Sequence, residues 1–233
     1  ERVYDLTDVS NTTYTEVIST TSYNSTQHLQ VTSTSTVDSK SQTQEQIFKY
    51  PHEMVSGGSS TPYQDMVNAN ILAPVIEKTV KVGGQTQSVE KTHYQKYHSS
   101  FFKPSSVEVS QRGGPLVTKV TFDNYDTQGN LLAYTPQNGL NTTLTYHSSA
   151  GKRNLVATKT TSGQTISYDY YPLIGVKEEI DPNSLKIEYE YDSFNRLAKV
   201  KDHEGRLLKE FCYNYVGQSV PCSVGSFSGM VAS

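Results

Sequence analysis

Few side chains in this sequence have the types and spacing that catalysis or metal binding requires. His93 and His98 are five residues apart on a predicted strand, so they face opposite sides and make a poor pair of metal ligands. The acidic and amide side chains of residues 123–130 could surround a cation, but Asp126 fits a turn residue better. We therefore predict no metal site.

Catalytic motifs are equally scarce. The sequence contains no glycine-rich phosphate loop and no HExxH motif. Residues 225–229 read Gly-Ser-Phe-Ser-Gly, which has Phe at the centre where a nucleophile elbow needs Ser. We predict that the chain is not an enzyme and that it binds no cofactor.

Basic side chains near tyrosines suggest one binding chemistry. Lys152, Arg153, Arg196 and Lys199 could hold an acidic glycan while exposed tyrosine rings stack on the sugars. Ordinary cross-strand pairs explain the same residues more simply. We therefore keep glycans as an alternative binding partner and not as the leading one.

Composition narrows the remaining classes of function. The 233 residues carry a formal net charge of -3 without a basic stripe, which argues against nucleic-acid binding. No apolar stretch approaches the ~20 residues of a spanning helix, so we predict no direct membrane insertion. With 17 Tyr, 7 Phe and no Trp, the buried surface suits a shallow or two-sided sheet.

The pattern along the chain predicts an all-β fold. Residues 1–50 form a strand-rich N-terminal segment in which short polar turns separate runs rich in β-branched residues. Residues 51–122 contain a loop, hairpins around Gly83-Gly84, and one short helix near residues 62–70 that begins at Thr61-Pro62. Residues 123–216 are repetitive, and residues 217–233 are a flexible tail.

A tyrosine period defines the repetitive region. The tyrosines are separated by 21, 24, 21 and 22 residues, a spacing typical of stacked units of two strands and two turns. Each unit is too short to bury a core of its own, so neighbouring units must share one. The period is set by Tyr125, Tyr146, Tyr170, Tyr191 and Tyr213.

Two stretches carry a family resemblance. Residues 191–197 read Tyr-Asp-Ser-Phe-Asn-Arg-Leu and residues 125–131 read Tyr-Asp-Thr-Gln-Gly-Asn-Leu. Both resemble the tyrosine-aspartate (YD, or Rhs-type) repeat. The residues that define the repeats are Tyr125, Asp126, Gly129, Leu131, Tyr189, Tyr191, Asp192, Asn195, Arg196, Leu197 and Gly205.

The resemblance implies antiparallel hairpins joined into one continuous twisted or spiralling sheet. The version of the repeat resembles that of large secreted proteins of Bacteroidota, and in long members of the family the sheet wraps a shell around a toxin. Residues 181–185 depart from the shell-closing motif because Ser184 stands where Gly is expected. We interpret them as a repeat turn.

These observations lead to one leading hypothesis and two alternatives. We predict a structural or scaffold module of an exported bacterial protein at the outer cell surface. Its partners would be other domains of the same large polypeptide or neighbouring surface proteins. A glycan- or protein-binding module and a wall fragment of a toxin-encapsulating shell are the alternatives. In an exported protein Cys212 and Cys222 could form a disulfide.

Overall fold

The computed structural model describes residues 2–4, 14–38, 41–55, 62–99 and 101–213. The strands are, in chain order, β1 Arg2–Tyr4, β2 Tyr14–Glu16, β3 Ser19–Ser22, β4 Ser33–Val37, β5 Thr43–Lys49, β6 Glu77–Val82, β7 Gln85–Tyr97, β8 Phe101–Gln111, β9 Val117–Tyr125, β10 Leu131–Pro136, β11 Thr142–Tyr146, β12 Val156–Thr161, β13 Gln164–Tyr171, β14 Gly175–Ile180, β15 Lys186–Tyr191, β16 Leu197–Lys201 and β17 Leu207–Glu210.

Strand order follows the order of the chain. β1 pairs with β2, and β3 to β17 form one 15-stranded antiparallel sheet in which sequence neighbours are hydrogen-bonded neighbours. This confirms the predicted all-β fold of antiparallel hairpins. It also shows that residues 19–49 add strands to the same sheet, a point that the sequence left open.

The predicted short helix near residues 62–70 is confirmed, and a second short helix that the sequence did not predict precedes it in the described part of the chain. α1 spans Pro51–Val55 and α2 spans Tyr63–Asn68. Glu53 in the first turn of α1 accepts a hydrogen bond from the backbone N–H of Tyr50 (2.9 Å), as in a capping box. The predicted cap residue Thr61 lies outside the described residues, and α2 has Pro62 as its N-cap without a side-chain bond.

The chain divides into two compact units, residues 1–142 and 143–233. In the first unit, one small core forms where the helices meet the sheet. Its buried members are Tyr63, Met66 and Ile76, and partly buried hydrophobic residues pack around them: Met54, Val55, Ile71, Tyr94 and Phe102.

The second unit has no comparable cluster among its described residues. Every residue of β14, β15 and β16 is half-buried, whichever face it occupies. Such uniform, intermediate exposure is what the tyrosine-rich composition predicted for a shallow sheet. Within the described residues, no helix has the length and hydrophobicity needed to cross a membrane.

Candidate functional site

One aspartate organises the turn between β15 and β16. Oδ1 of Asp192 accepts hydrogen bonds from the backbone N–H groups of Phe194 and Arg196, both at 2.9 Å. The Asp192 N–H donates to the Arg196 carbonyl (2.9 Å), and the Asn195 N–H donates to the Asp192 carbonyl (3.0 Å). The turn is thus closed by four bonds to one residue, which explains why the repeat has Asp at this position.

The same set of bonds recurs in three other turns of the chain. In each one the Asp carboxylate accepts from the N–H groups two and four residues ahead, at 2.8–3.0 Å, and the backbone closes the same way. The aspartates are Asp126, Asp181 and Asp202. The interpretation of residues 181–185 as a repeat turn therefore fits the observed geometry.

A related turn lies in the N-terminal part, where the sequence predicts a short polar turn but not its likeness to the repeat turns. Asp38 accepts from the N–H of Gln42 through Oδ1 (2.9 Å), and the Ser41 N–H donates to the Asp38 carbonyl (2.9 Å). Ser41 has a positive φ of 60°. The spacing of Asp38, Ser41 and Gln42 equals that of Asp181, Ser184 and Leu185, which is the signal that could have revealed it.

The fourth residue of each turn adopts a left-handed backbone. φ is +85° at Gly129, +66° at Ser184, +60° at Asn195 and +77° at Gly205. Gly and Asn enter this region at little cost, whereas Ser is strained there. The repeat positions predicted at Gly129, Asn195 and Gly205 thus coincide with a backbone requirement.

Arg196 links its own turn to the next strand. Its Nε donates to Oδ2 of Asp192 (2.8 Å), and its guanidinium carbon lies 4.4 Å from the ring centroid of Tyr213 and 5.2 Å from that of Phe194. Arg206 makes the equivalent bond to Asp202 (2.7 Å). These contacts order the turn tips, and they occupy Arg196, which we had considered for glycan binding.

Three of the five tyrosines that set the period make the same kind of hydrogen bond. The hydroxyl of Tyr191 donates to the Val176 carbonyl (2.9 Å), that of Tyr213 to the Leu197 carbonyl (3.0 Å), and that of Tyr125 to the Pro104 carbonyl (2.8 Å). In each case the acceptor lies 15 to 21 residues earlier in the chain. Each of these tyrosines thereby ties its segment to an earlier strand (β8, β14 or β16), which the period alone did not reveal.

The remaining repeat residues occupy supporting positions. Tyr125 is buried, with 6% of its surface exposed, and packs edge to face on Tyr97 at 4.7 Å between ring centroids. Leu131 pairs directly with Tyr125 across β9 and β10. Tyr189 is half-buried on β15, opposite Val200 of β16.

Local contacts shift the pKa of several groups. Hydrogen bonds from the Arg196 backbone and side chain hold the pKa of Asp192 below its ordinary value. Burial tends to raise the pKa of Asp126, but hydrogen bonds from Asn130 and Gln128 outweigh it and lower the pKa. The Lys152 ammonium lowers the pKa of Asp169 to about 2 by hydrogen bonding. Burial raises the pKa of Tyr189.

The structure does not bring metal ligands together in its described part, where no group of three His, Cys, Asp or Glu side chains could hold an ion. His93 contacts Glu108 (2.8 Å) and His98 contacts the Tyr125 carbonyl (2.8 Å), so each has a separate partner. Cys222 lies outside the described residues, so its disulfide to Cys212 stays a prediction. Residues 225–229 lie outside them as well.

The cations considered for glycan binding differ in their surroundings. Lys152 is paired with Asp169, and Lys199 lies 3.8 Å from Glu210. Arg153 is exposed, and no ion pair involves it among the described residues. It therefore remains available as a cation at the surface of the second unit.

Two neighbouring clefts lie at the end of the second unit where Arg153 is found. The first has a volume of about 400 Å³ and lies between the loop before β12 and the turn joining β13 to β14. The second, of about 410 Å³, lies between that turn and the turn joining β15 to β16. Tyr171 and Ile174 line both clefts, so the two clefts adjoin, and we refer to the pair as the elongated depression.

No protein-family model and no curated protein matches the sequence. Among solved structures, the chain is similar to TcdB2-TccC3-Cdc42, with 15% identity, a TM-score of 0.45 and coverage of 85% of this chain and 10% of that chain. TcdB2-TccC3 without its hypervariable C-terminal region matches with 13% identity, a TM-score of 0.39 and coverage of 79% and 12%. A Tc holotoxin pore of Photorhabdus luminescens matches with 12% identity, a TM-score of 0.39 and coverage of 73% and 11%.

The chain thus spans about a tenth of the length of these structures. At such identities and TM-scores the likeness carries no conclusion about function. The sheet of consecutive hairpins that the YD-repeat resemblance implies is nevertheless the sheet that the structure shows.

Proposed function

We propose that the chain is a non-enzymatic structural module that spaces other domains of a larger exported protein at the bacterial cell surface. The large secreted proteins of Bacteroidota are the type of parent protein that the repeats resemble. The observation that carries the proposal is the repeated unit itself. The chain reverses between β14, β15, β16 and β17 through the same aspartate turn, and the hydroxyls of Tyr191 and Tyr213 each bond to a carbonyl 15 or 16 residues earlier.

The strand order supports a spacing role. Because each strand pairs with its sequence neighbours, a hairpin can be inserted or removed while the others keep their partners. Each strand adds about 4.8 Å in the hydrogen-bonding direction. The length of such a module is therefore set by the number of its repeats.

Removal of one repeat tests this role. Deletion of residues 171–191 joins Tyr170 to Asp192 and restores the sequence of one repeat, with β13 placed beside β16. We expect the shortened chain to unfold cooperatively and to keep a strand-dominated circular dichroism spectrum. Dyes on unnatural amino acids at Lys159 and Lys209 should move closer by about 10 Å, the width of two strands.

The result of this deletion separates a spacer from a single-site protein. Loss of the fold on removal of one repeat would contradict an architecture of interchangeable units. A reproducible hydrolytic activity of the full chain that the deletion abolishes would contradict a non-enzymatic role. A deletion one residue shorter, residues 171–190, joins Tyr170 to Tyr191 and shifts the repeat by one position. It is the matched control and should unfold the second unit, because the shift turns every side chain of the joined strand to the opposite face.

A wall fragment of a toxin-encapsulating shell is the second candidate. The sequence-ordered sheet favours it, because further hairpins could continue the pairing beyond β17. Peptide mapping of the native polypeptide distinguishes the two candidates. Many additional YD repeats followed by a closing motif and a toxic domain would support the shell, whereas flanking β domains and a surface-sorting segment would support the spacer.

A further inference from the structure

The elongated depression in the second unit has an apolar first half. Its walls are formed by the side chains of Leu155, Tyr170, Ile174 and Val176, with Leu173 on the rim. A volume of about 400 Å³ falls in the range of sites that hold a small ligand or one or two side chains of a peptide. An apolar cleft of this size at a surface is a candidate binding site.

Leu173 is unfavourable for the folded chain in two respects. It is 99% exposed, although it is a large aliphatic side chain. Its φ is +63°, in a turn closed by the Ile174 N–H to the Tyr171 carbonyl (3.2 Å), where Gly or Asn is the usual residue. A strained backbone that presents an apolar side chain to solvent points to contact with another molecule.

The first cleft has a positive charge at its edge, which Arg153 supplies. Neighbouring Lys152 is neutralised by Asp169, which also lies 3.4 Å from Lys177. Since no carboxylate pairs with Arg153 among the described residues, the apolar cleft has an uncompensated cation at its edge. A carboxylate close to an apolar group would complement both features.

The second half of the depression has the opposite character. It is lined by Glu190, Asp192 and Asn195, beyond the shared wall of Tyr171 and Ile174. Asp192 is held by its own turn, whereas Oε2 of Glu190 and the side-chain amide oxygen of Asn195 can accept a hydrogen bond from an N–H donor. An extended peptide can place an apolar group and an acidic group in the first cleft. Its continuing backbone, or a polar side chain, can then reach the second cleft. A compact ligand would fill only one of the two clefts.

We propose that this depression binds an extended segment of a partner polypeptide that carries an apolar side chain next to a carboxylate. Leu173 and the wall of the first cleft contact the apolar side chain, and Arg153 pairs with the carboxylate. Binding of such a segment goes beyond the spacing role, because it gives the second unit a specific partner.

Selection from a random heptapeptide library on phage tests the proposal with the full chain as bait and the Arg153→Gln variant for counter-selection. We expect enriched sequences to place an aliphatic or aromatic residue next to Asp or Glu. The best peptide is then labelled with fluorescein and titrated by fluorescence polarisation, beside a matched peptide with the amide in place of the carboxylate.

Substitutions at Arg153 and Leu173 test which side chain contacts which group of the peptide. Arg153→Gln should weaken binding of the acidic peptide about tenfold and that of the amide peptide less than twofold. Leu173→Gly relieves the backbone strain, so it should leave the fold intact or more stable while it weakens both peptides severalfold. Lys159→Gln, which removes an equal charge elsewhere on the unit, and Leu185→Ala, which trims another exposed leucine, should leave both affinities unchanged.

Three outcomes would overturn the proposal. The first is failure of any sequence to enrich, and the second is enrichment of peptides that lack a carboxylate. The third is binding of phosphatidylserine vesicles that depends on Leu173 while no peptide is selected, which would make the exposed leucine a membrane contact.

Discussion

Substitution of Gly175 by Ala probes the packing that joins successive repeats. A Cβ at Gly175 would lie 3.0 Å from Cζ of Tyr191 and closer still to its hydroxyl oxygen. Real Cβ atoms rarely approach so closely, so the ring must move away from the first residue of β14. We expect Gly175→Ala to lower the free energy of unfolding by about 2 kcal/mol, in the range for overpacked sites.

The same displacement should break the hydrogen bond from Tyr191 to the Val176 carbonyl. Tyr191→Phe removes that bond directly and should cost about 1 kcal/mol in the unmodified chain. Once Gly175→Ala has already displaced the ring, removal of the hydroxyl costs little and relieves the closest contact. The double variant should therefore be no less stable than Gly175→Ala alone, with a coupling energy of about 1 kcal/mol.

Urea unfolding of the full chain, followed by far-ultraviolet circular dichroism, measures the four stabilities of this cycle. Gly205→Ala is the control, because a Cβ there meets open space and only the φ of +77° is unfavourable. Its cost of about 1 kcal/mol should add to that of Tyr191→Phe. If Gly175→Ala costs less than about half a kcal/mol, or if its effect is additive with Tyr191→Phe, the proposed fastening of repeats by tyrosine is refuted.

Three further perturbations address the turns and the charges. Ser184→Gly should raise the free energy of unfolding by about 0.5–1 kcal/mol, because φ is +66° there, and a decrease in the same urea assay would contradict the strain argument. Gly205→Val should destabilise by more than 1 kcal/mol whereas Gly205→Asn should cost less, and equal effects of the two would show that the left-handed backbone is not the constraint. Because the folded-state pKa of Asp169 is about 2 against an ordinary 3.8, its stabilisation is complete above about pH 4 and is lost as the pH falls through 2. Acid titration of Asp169→Asn should therefore show a smaller loss of stability between pH 4 and 2, and an unchanged profile would contradict the pairing with Lys152.

The sequence predicted the sheet because its signals are local. Gly83 and Gly84 both have positive φ, as a two-residue hairpin turn requires, and strand β7 begins directly after them at Gln85. The aspartate turns are equally local, since each is closed within five residues. Geometry of this kind depends on residues that are consecutive in the chain, so it can be predicted from the sequence.

The features that sequence reasoning missed depend on distant or unusual contacts. Helix α1 begins at Pro51, in a stretch that the sequence analysis gives only as a loop, and the capping bond from Tyr50 to Glu53 is apparent only in the structure. The tyrosine hydroxyl bonds join residues 15 to 21 positions apart, so a period could locate the rings but not their acceptors. Leu173 escaped notice because its residue type conflicts with its backbone conformation.

These contacts explain how a sheet without a thick core can keep one register. Half-buried strands gain little from burial, so side-chain packing alone would specify the pairing of β13 to β17 weakly. The aspartate turns fix where the chain reverses between β14 and β17. The hydroxyls of Tyr191 and Tyr213 each select one carbonyl of the preceding part of the sheet. A slip by one residue would turn the Tyr191 ring to the opposite face and leave the Val176 carbonyl without this donor. Because the penalty arises separately in each unit, the number of repeats can change without loss of register in those that remain.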